Sequence, residues 1–532
     1  MVCSAASELS DGTRATVERL LARYGSDKGP GCASGVLLNG RVVFEAAVGT
    51  MDGRQPLTAS TPIYLASVSK QFTAAAIYEL ADRGRIQINQ PIRTLLPELP
   101  EYATAVTIHH LLNHTSGLRD YSALEEVAGH LGPMDNLGVL RMLSAQHALN
   151  FEPGTDYEYS NSDYVLLGLI VERASGVRLS RYAKEELFDP LGLSRSWFQS
   201  YGGPPYEPAQ GYVLREGTLH SAAAPPLTTG DGGMYSTVSD LLRWMEALER
   251  PRASGKKALQ QIQSRSRLRS GEVLPHASGL FWGRYKGRAT ISHNGAVPGF
   301  QADVVHFPKE HLSVVCLCNR GDVDAASLSR QIAEAYLRAG PPNASAPPRQ
   351  VDGRALPPDL SGKWESRQGF VLSTTVEGVH LTASLAGESH VMSLDRKQKA
   401  FITESDSFPL FLRRRGKDVV ELGLEGDRPN SFRRLRPTEP NPLQLGRYTG
   451  NFENDELNVK WNLVLADGSL LITTNAGWRI PLAQAAEDRF EVGPWLLEFE
   501  RENGRISGFT LHRERLWGLV FQKIGGSDYP RK

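Results

Sequence analysis

Apolar periodicity changes character once along this chain, across the segment GPPNASAPPRQVDGRALPPD at 340–359. Before it, strand-like runs enclose a long stretch of helical spacing. After it, helical spacing is nearly absent, and short alternating runs follow one another between Gly, Asn and Asp turns. A segment so rich in proline, glycine and alanine reads as a linker. At roughly 150 residues per domain, 532 residues make about three domains. The expected boundaries are 1–340, a linker over 341–355, then 356–440 and 441–532.

Residues 15–25 have the spacing of a short amphipathic helix, and ASGVLLNGRVVFEAAVG follows with two apolar runs around Asn39-Gly40. Both residues of Asn-Gly tolerate positive φ, so the pair is a strong hairpin signal. A helix-rich stretch runs from about 67 to 195. STVSDLLRWMEALER (236–250) opens on a Ser/Thr cap, with Asp240 three residues after Thr237. Strands return at RATISHNGAVPGFQADVVHFP and LSVVCLCN, and a helix is expected over 325–339. Strands at both ends with helices between them imply an α+β domain. Its antiparallel sheet is built from both termini, and an all-helical subdomain is inserted.

Beyond the linker, runs such as FVLSTTVEGVHLTASLAG and WNLVLADGSLLITT point to antiparallel barrels. A weak repeat relates LSGKWES (360–366) to LGRYTGN (445–451), each with Gly, a basic residue and an aromatic in succession. Each block ends in a strand pair, the second being ISGFTLHRERLWGLVFQKI. Two successive β-barrel domains of similar, lipocalin-like design are expected.

The 59 basic and 59 acidic residues cancel, so no charge excess points to nucleic acid or an anionic membrane. No apolar run approaches the roughly 18 residues of a membrane helix. The start, MVCSAASELSDGTRA, lacks the basic-then-apolar secretory pattern. Four cysteines, Cys3, Cys32, Cys316 and Cys318, are too few for a disulfide scaffold and show no metal-site spacing. No metal or organic cofactor is expected. Cys316 and Cys318 share one face of a strand and read as buried thiols, with the cytoplasm as the expected compartment.

YLASVSKQFTAAAI (64–77) brings an extended run into a helix. Ser67 then lies in the first turn, with Lys70 one turn further on the same face. The helix N-terminus favours developing oxyanion charge and disfavours a charged lysine. A partly desolvated, neutral lysine there accepts a serine proton. By itself the pair reads more readily as a helix cap, and Ser254 and Lys257 repeat the spacing in a polar loop. Two further stretches add weight. Tyr159-Ser160-Asn161 opens a helix, offering a phenol to relay a proton and an amide to bind a substrate amide. His293-Asn294-Gly295 lies on a strand, where His293 can hydrogen-bond reacting hydroxyls and Gly295 lets substrate lie against the strand edge. A core tyrosine and a satisfied strand histidine are the plain alternatives.

In order and context these three motifs resemble the serine β-lactamase and penicillin-binding protein superfamily, most closely its class C branch with the related esterases and aminopeptidases. The likeness extends to LLNHTSGLRDY (111–121), FEPG (151–154), PLGL (190–193) and GGMYSTVSDLLRW (232–244). It implies Ser67 as the acylated nucleophile, Lys70 and Tyr159 as shared general base, and Asn161 on the substrate amide. It also implies an oxyanion hole from the N–H groups of Ser67 and Ala296. SGLRDY and GGMYSTVSD read as turn and capping elements, and His114 as a structural histidine.

The superfamily's Lys-Thr-Gly lysine, which grips a substrate carboxylate, is replaced by His293. An imidazole is mostly neutral at pH 7, which argues against an efficient penicillinase or carboxypeptidase. His-x-Gly and the two C-terminal barrels resemble the D-stereospecific aminopeptidases. In those enzymes a barrel loop reaches the site and helps select a free amine. The corresponding region is expected around 473–493, with Glu487 or Asp488 as the acid, or Trp478 filling the pocket. The expected function is a serine hydrolase that removes N-terminal D-amino acids from peptides, amides and esters. The alternatives are an esterase or a β-lactamase-like hydrolase of other specificity, and a non-catalytic scaffold. The expected partner is a small peptide, amide or ester, with no nucleic acid and no membrane; a homodimer is the assembly considered.

Overall fold

Asn39 and Gly40 turn the chain with φ of 54° and 72° and close the hairpin Cys32–Leu38/Arg41–Val48. Two consecutive positive φ values match the twist of the flanking strands. The computed structural model describes residues 11–26, 28–129, 132, 134–199, 206–251, 255–338, 356–366, 370–385, 388–395, 400–403, 410–424, 429–435, 442–474, 477 and 479–525. The expected linker over 341–355 lies outside them.

The strand Cys32–Leu38 pairs antiparallel with Leu312–Cys318. One eight-stranded sheet therefore joins the two ends of the first domain, in the order 41–48, 32–38, 312–318, 300–307, 288–297, 280–285, 273–277, 265–267. Leu312–Cys318 is buried at every position, as a strand covered on both faces must be. Helices Asp11–Ala22 and Ala325–Arg338 cover one face around Val305, Phe307 and Val314. Helices Val238–Glu249 and Lys70–Asp82 contribute to the larger core, which also holds Val304 and Val315 of the sheet. Thr237 caps the first of these, accepting from Asp240 N at 3.1 Å. Between Lys70 and Leu191 the chain is largely helical, as its spacing indicated.

Antiparallel register places Cys32 opposite Cys318, Cα to Cα 4.1 Å, and their sulfurs are bonded. Cys316 stays a buried thiol. The reading of Cys316 and Cys318 as two thiols is thus corrected, because a cross-strand partner 286 positions away is invisible to local spacing. A disulfide also removes the ground on which the cytoplasm was preferred. Among the described residues no helix is long and apolar enough to cross a membrane.

Gly362–Arg434 carries eight strands in a closed antiparallel barrel around Trp364, Leu372 and Phe432. Gly450–Ile524 carries nine, nearly closed, with its unpaired edges at 479–481 and 483–486. Phe452, Trp461, Phe509 and Phe521 stack inside it, the last two at 4.7 Å between centroids. The repeat is real, but its register is corrected. Gly362 and Gly450 start the first strands with φ of 156° and 149°, and Trp364 and Phe452 follow two residues later, both fully buried. GKWES therefore corresponds to GNFEN. Gly446–Tyr448 forms a preceding 3-10 turn.

The second barrel is bolted to the first domain through Arg119. Its guanidinium donates to Glu456 Oε2 at 2.6 Å, Gln146 Oε1 at 2.8 Å and Gly518 O at 2.9 Å. His147 N donates to the same Glu456 oxygen at 2.9 Å. Arg119 and Glu456 side chains are 2% and 6% exposed, so losing one partner strands a buried charge. Glu456→Ala should destabilise the protein by about 3–5 kcal/mol, read by denaturant unfolding and by faster proteolysis within 442–525; an unchanged midpoint would contradict this docking role.

Candidate active site

From Thr61 to Ile77 every residue is buried except Ser67. The chain enters this stretch through Ala66, whose φ of 46° is left-handed and costs an alanine about 1–2 kcal/mol. A short 3-10 turn, Ala66–Ser69, follows, closed by Ser69 Oγ donating to Ala66 O at 2.6 Å. The α-helix proper begins at Lys70, so Ser67 sits just ahead of it.

Lys70 is fully buried. Its Nζ donates to Ser67 Oγ at 3.1 Å, to Asn161 Oδ1 at 2.9 Å and to the Asp231 carbonyl at 2.7 Å. An ammonium has three hydrogens, and each has an acceptor here. Asn161 is the first residue of the helix Asn161–Ser175, and its own N–H donates to Asp120 Oδ2 at 2.7 Å. Tyr159 lies with its ring centroid 4.9 Å from Lys70 Nζ. Among the described residues its hydroxyl makes no hydrogen bond, which leaves the oxygen open to solvent or substrate. Ser67, Lys70, Tyr159 and Asn161 thus converge as the motifs suggested.

His293 borders the same space on the strand Arg288–Val297, its ring centroid 6.3 Å from that of Tyr159. Its Nδ1–H donates to Asn294 O at 2.6 Å, so Nε2 carries a lone pair, buried without a partner. Burial, then the Lys70 charge, lower it to about 3. Asn294 and Ala296 are exposed. Pairing with 280–285 stops at Ser292, leaving one edge of the strand unpaired beyond it. Gly295 has a different reason than the one expected. A Cβ there would lie 2.2 Å from Leu65 O and 2.9 Å from Ser67 N, so the glycine lets the strand pack against the turn that carries the serine.

His114 lies buried in the turn after Ile108–Leu112, its ring tilted against those of Tyr159 and His276 at 4.5 Å and 4.7 Å between centroids, with Nδ1 3.0 Å from Asp163 Oδ2. Burial holds His114 and His276 well below the usual histidine range.

The barrel segment that reaches this site is also not the expected one. Around 473–493, Glu491 and Arg489 pair with Lys363 and Glu365 of the first barrel. Asp488 accepts from Arg501 and from Tyr448 Oη, and Trp478 lies outside the described residues. The hairpin Arg505–Arg513/Leu516–Ile524 reaches in instead. Arg515 O accepts from Asp120 N at 3.0 Å and Asn150 Nδ2 at 3.2 Å, Arg515 N donates to Glu158 Oε1 at 3.1 Å, and Trp517 N to Asn150 Oδ1 at 2.9 Å. SGLRDY is therefore a docking site as well as a cap. Sequence spacing carried no sign of Glu158 or His276; the short RERLWG turn between two strands was the available signal for Arg515.

Residues 14–337 match the Beta-lactamase family model. The chain belongs to the β-lactamase family. Over 551 aligned positions it is 25% identical to a D-aminopeptidase of Gluconobacter oxydans, covering 96% of this chain and 98% of that one. A D-aminopeptidase of Brucella canis is also 25% identical, over 93% and 96%. The octameric penicillin-binding protein homologue from Pyrococcus abyssi shares the fold, with TM-score 0.55 at 22% identity over 79% of this chain and 99% of that one. This β-lactamase family member is a serine hydrolase, and its alignment with the Gluconobacter oxydans D-aminopeptidase extends over 96% of the chain, the barrel region included.

Burial, then the Glu514 carboxylate, push Glu158 up to about 8. That lies above the ordinary 4.5, so the folded state holds the proton more tightly. The resulting stability is complete below about pH 4.5 and lost as pH rises through about 8. Glu158→Gln keeps the neutral shape without titrating. Its stability relative to wild type should rise between about pH 5 and pH 9; a difference independent of pH would contradict a protonated Glu158.

Proposed function

We propose that the chain hydrolyses amide and ester bonds through an acyl-enzyme on Ser67, and that it removes N-terminal D-amino acids from short peptides, amides and esters. The observation that supports it best is the buried Lys70 amine joined at once to Ser67 Oγ and Asn161 Oδ1. The D-aminopeptidase relatives supply the substrate class.

Ser67 Oγ attacks the acyl carbonyl. All three Lys70 hydrogens are engaged, so Lys70 first passes one to Tyr159, which enters as the phenolate, and the freed amine lone pair then takes the serine proton. Tyr159 then returns a proton to the leaving nitrogen or oxygen, and the pair activates the deacylating water. Asn161 Oδ1 is held by Lys70, which leaves Nδ2 to donate to the substrate. The oxyanion is received by the N–H groups of Ser67 and Ala296, each donor contributing about 3–4 kcal/mol to transition-state stabilisation. His293 borders the site as a neutral ring whose Nε2 lone pair has no partner, and it orders reacting hydroxyls. It gives a carboxylate nothing to bind, so a β-lactam acylates Ser67 as an inhibitor and turns over slowly.

The test is a screen of D-Ala-p-nitroanilide, L-Ala-p-nitroanilide and p-nitrophenyl butyrate, beside Ser67→Ala and Lys70→Ala. The D amide should be cleaved at least about tenfold faster than the L amide. Lys70→Ala should cut kcat by about 10²–10⁴, and Ser67→Ala should lose both turnover and fluorophosphonate labelling. Ester hydrolysis without D-amide cleavage would establish an esterase instead. Labelling that survives Ser67→Ala would overturn the nucleophile.

A further inference from the structure

The backbone of Arg515 does the docking, and its side chain does not. Its N–H and C=O make three hydrogen bonds to Glu158, Asp120 and Asn150. Its guanidinium lies 4.9 Å above the Tyr159 ring centroid. Among the described residues the guanidinium donates no hydrogen bond, and Nε is buried without a hydrogen-bond partner. Its one ion pair is with the adjacent, 62% exposed Glu514, Nε to Oε1 3.3 Å. The side chain itself is one-third exposed. A cation is thus held at fixed depth against the catalytic phenol, with its paired donors open.

Tyr159 is the group that hands a proton to the leaving atom, so whatever stacks on its ring lies beside the leaving group. The strand opposite supplies no cation, because His293 is neutral and shows a lone pair. A planar guanidinium with free Nη groups matches a carboxylate in a two-bond fork. We propose that Arg515 is a substrate-binding residue that receives a carboxylate on the leaving-group side of the scissile bond. The preferred substrates are then short peptides ending in a free carboxylate close to that bond, and the second barrel supplies the specificity. This deepens the acyl-enzyme reading and rests on it.

The experiment compares two matched pairs on wild type, Arg515→Gln and Arg515→Lys. One pair is D-Ala-Gly against D-Ala-glycinamide. The other is 4-acetoxybenzoate against its methyl ester, which has the same acyl group and needs no aminopeptidase activity. Wild type should favour each carboxylate partner in kcat/KM by about tenfold or more, the scale of one charge-assisted hydrogen bond, chiefly through KM. Arg515→Gln should abolish that preference, bringing each carboxylate substrate to the kcat/KM of its neutral partner, while Arg515→Lys keeps part of it. Because docking uses the backbone, thermal unfolding should not shift. Equal loss on charged and neutral substrates, or no preference in wild type, overturns the proposal. If neither dipeptide is cleaved but the benzoate pair behaves as stated, the aminopeptidase reading fails and the Arg515 assignment stands.

Discussion

A lysine side chain with no exposed surface must find an acceptor for every hydrogen it carries, or lose its charge. Lys70 meets that demand with three elements that are distant in sequence: the turn that holds Ser67, the helix that starts at Asn161, and the loop at Asp231. Two of the same three bonds fix the Ser67 hydroxyl and the Asn161 amide. Building the site and burying the lysine are one structural problem. The strained Ala66 and the bare Gly295 follow from it, because the serine turn must rise against the strand Arg288–Val297 closely enough that no side chain fits between them.

The second structural demand is on the floor and wall of the site. Tyr159 is packed between Lys70, His114 and Arg515. One of those three arrives from the far end of the chain. The Arg119–Glu456 pair and the backbone bonds of Arg515 fix the second barrel at SGLRDY. The stretch that caps Tyr121–Ala128 and holds Asn161 through Asp120 therefore also seats the barrel. Catalytic geometry and barrel docking share residues, so the barrel is part of the site. The strand that carries His293 places no cation beside Tyr159, and Arg515 of the barrel places one over its ring.

Much of this was legible in local sequence. Asn39-Gly40 fixed a hairpin because its backbone demands are local. Ser67-x-x-Lys70, Tyr159-x-Asn161 and His293-x-Gly295 were legible because each is one short continuous stretch, the first two at the entry to a helix and the third within a strand. The two barrels followed from alternation and turns. What local sequence missed depends on which residues meet across the fold. Cys32 and Cys318 are joined only by strand register. The barrel repeat was placed four residues off, because a 3-10 turn precedes the strand start at Gly450. The loop that enters the site was placed at 473–493, although Arg515 enters. Nothing in a turn between two strands says which end of a barrel faces a partner domain. His276 reads as an ordinary strand residue until the fold packs it against His114.

The central claim is that Ser67, activated through the buried Lys70, carries the acyl group. Rapid acid quench during turnover of a D-alanine ester, followed by peptide mass spectrometry, tests it most directly. One alanyl group should be found on the peptide containing Ser67, and should be missing when Lys70 is replaced by alanine. Full turnover with no covalent adduct, or an adduct on any other residue, would contradict the account.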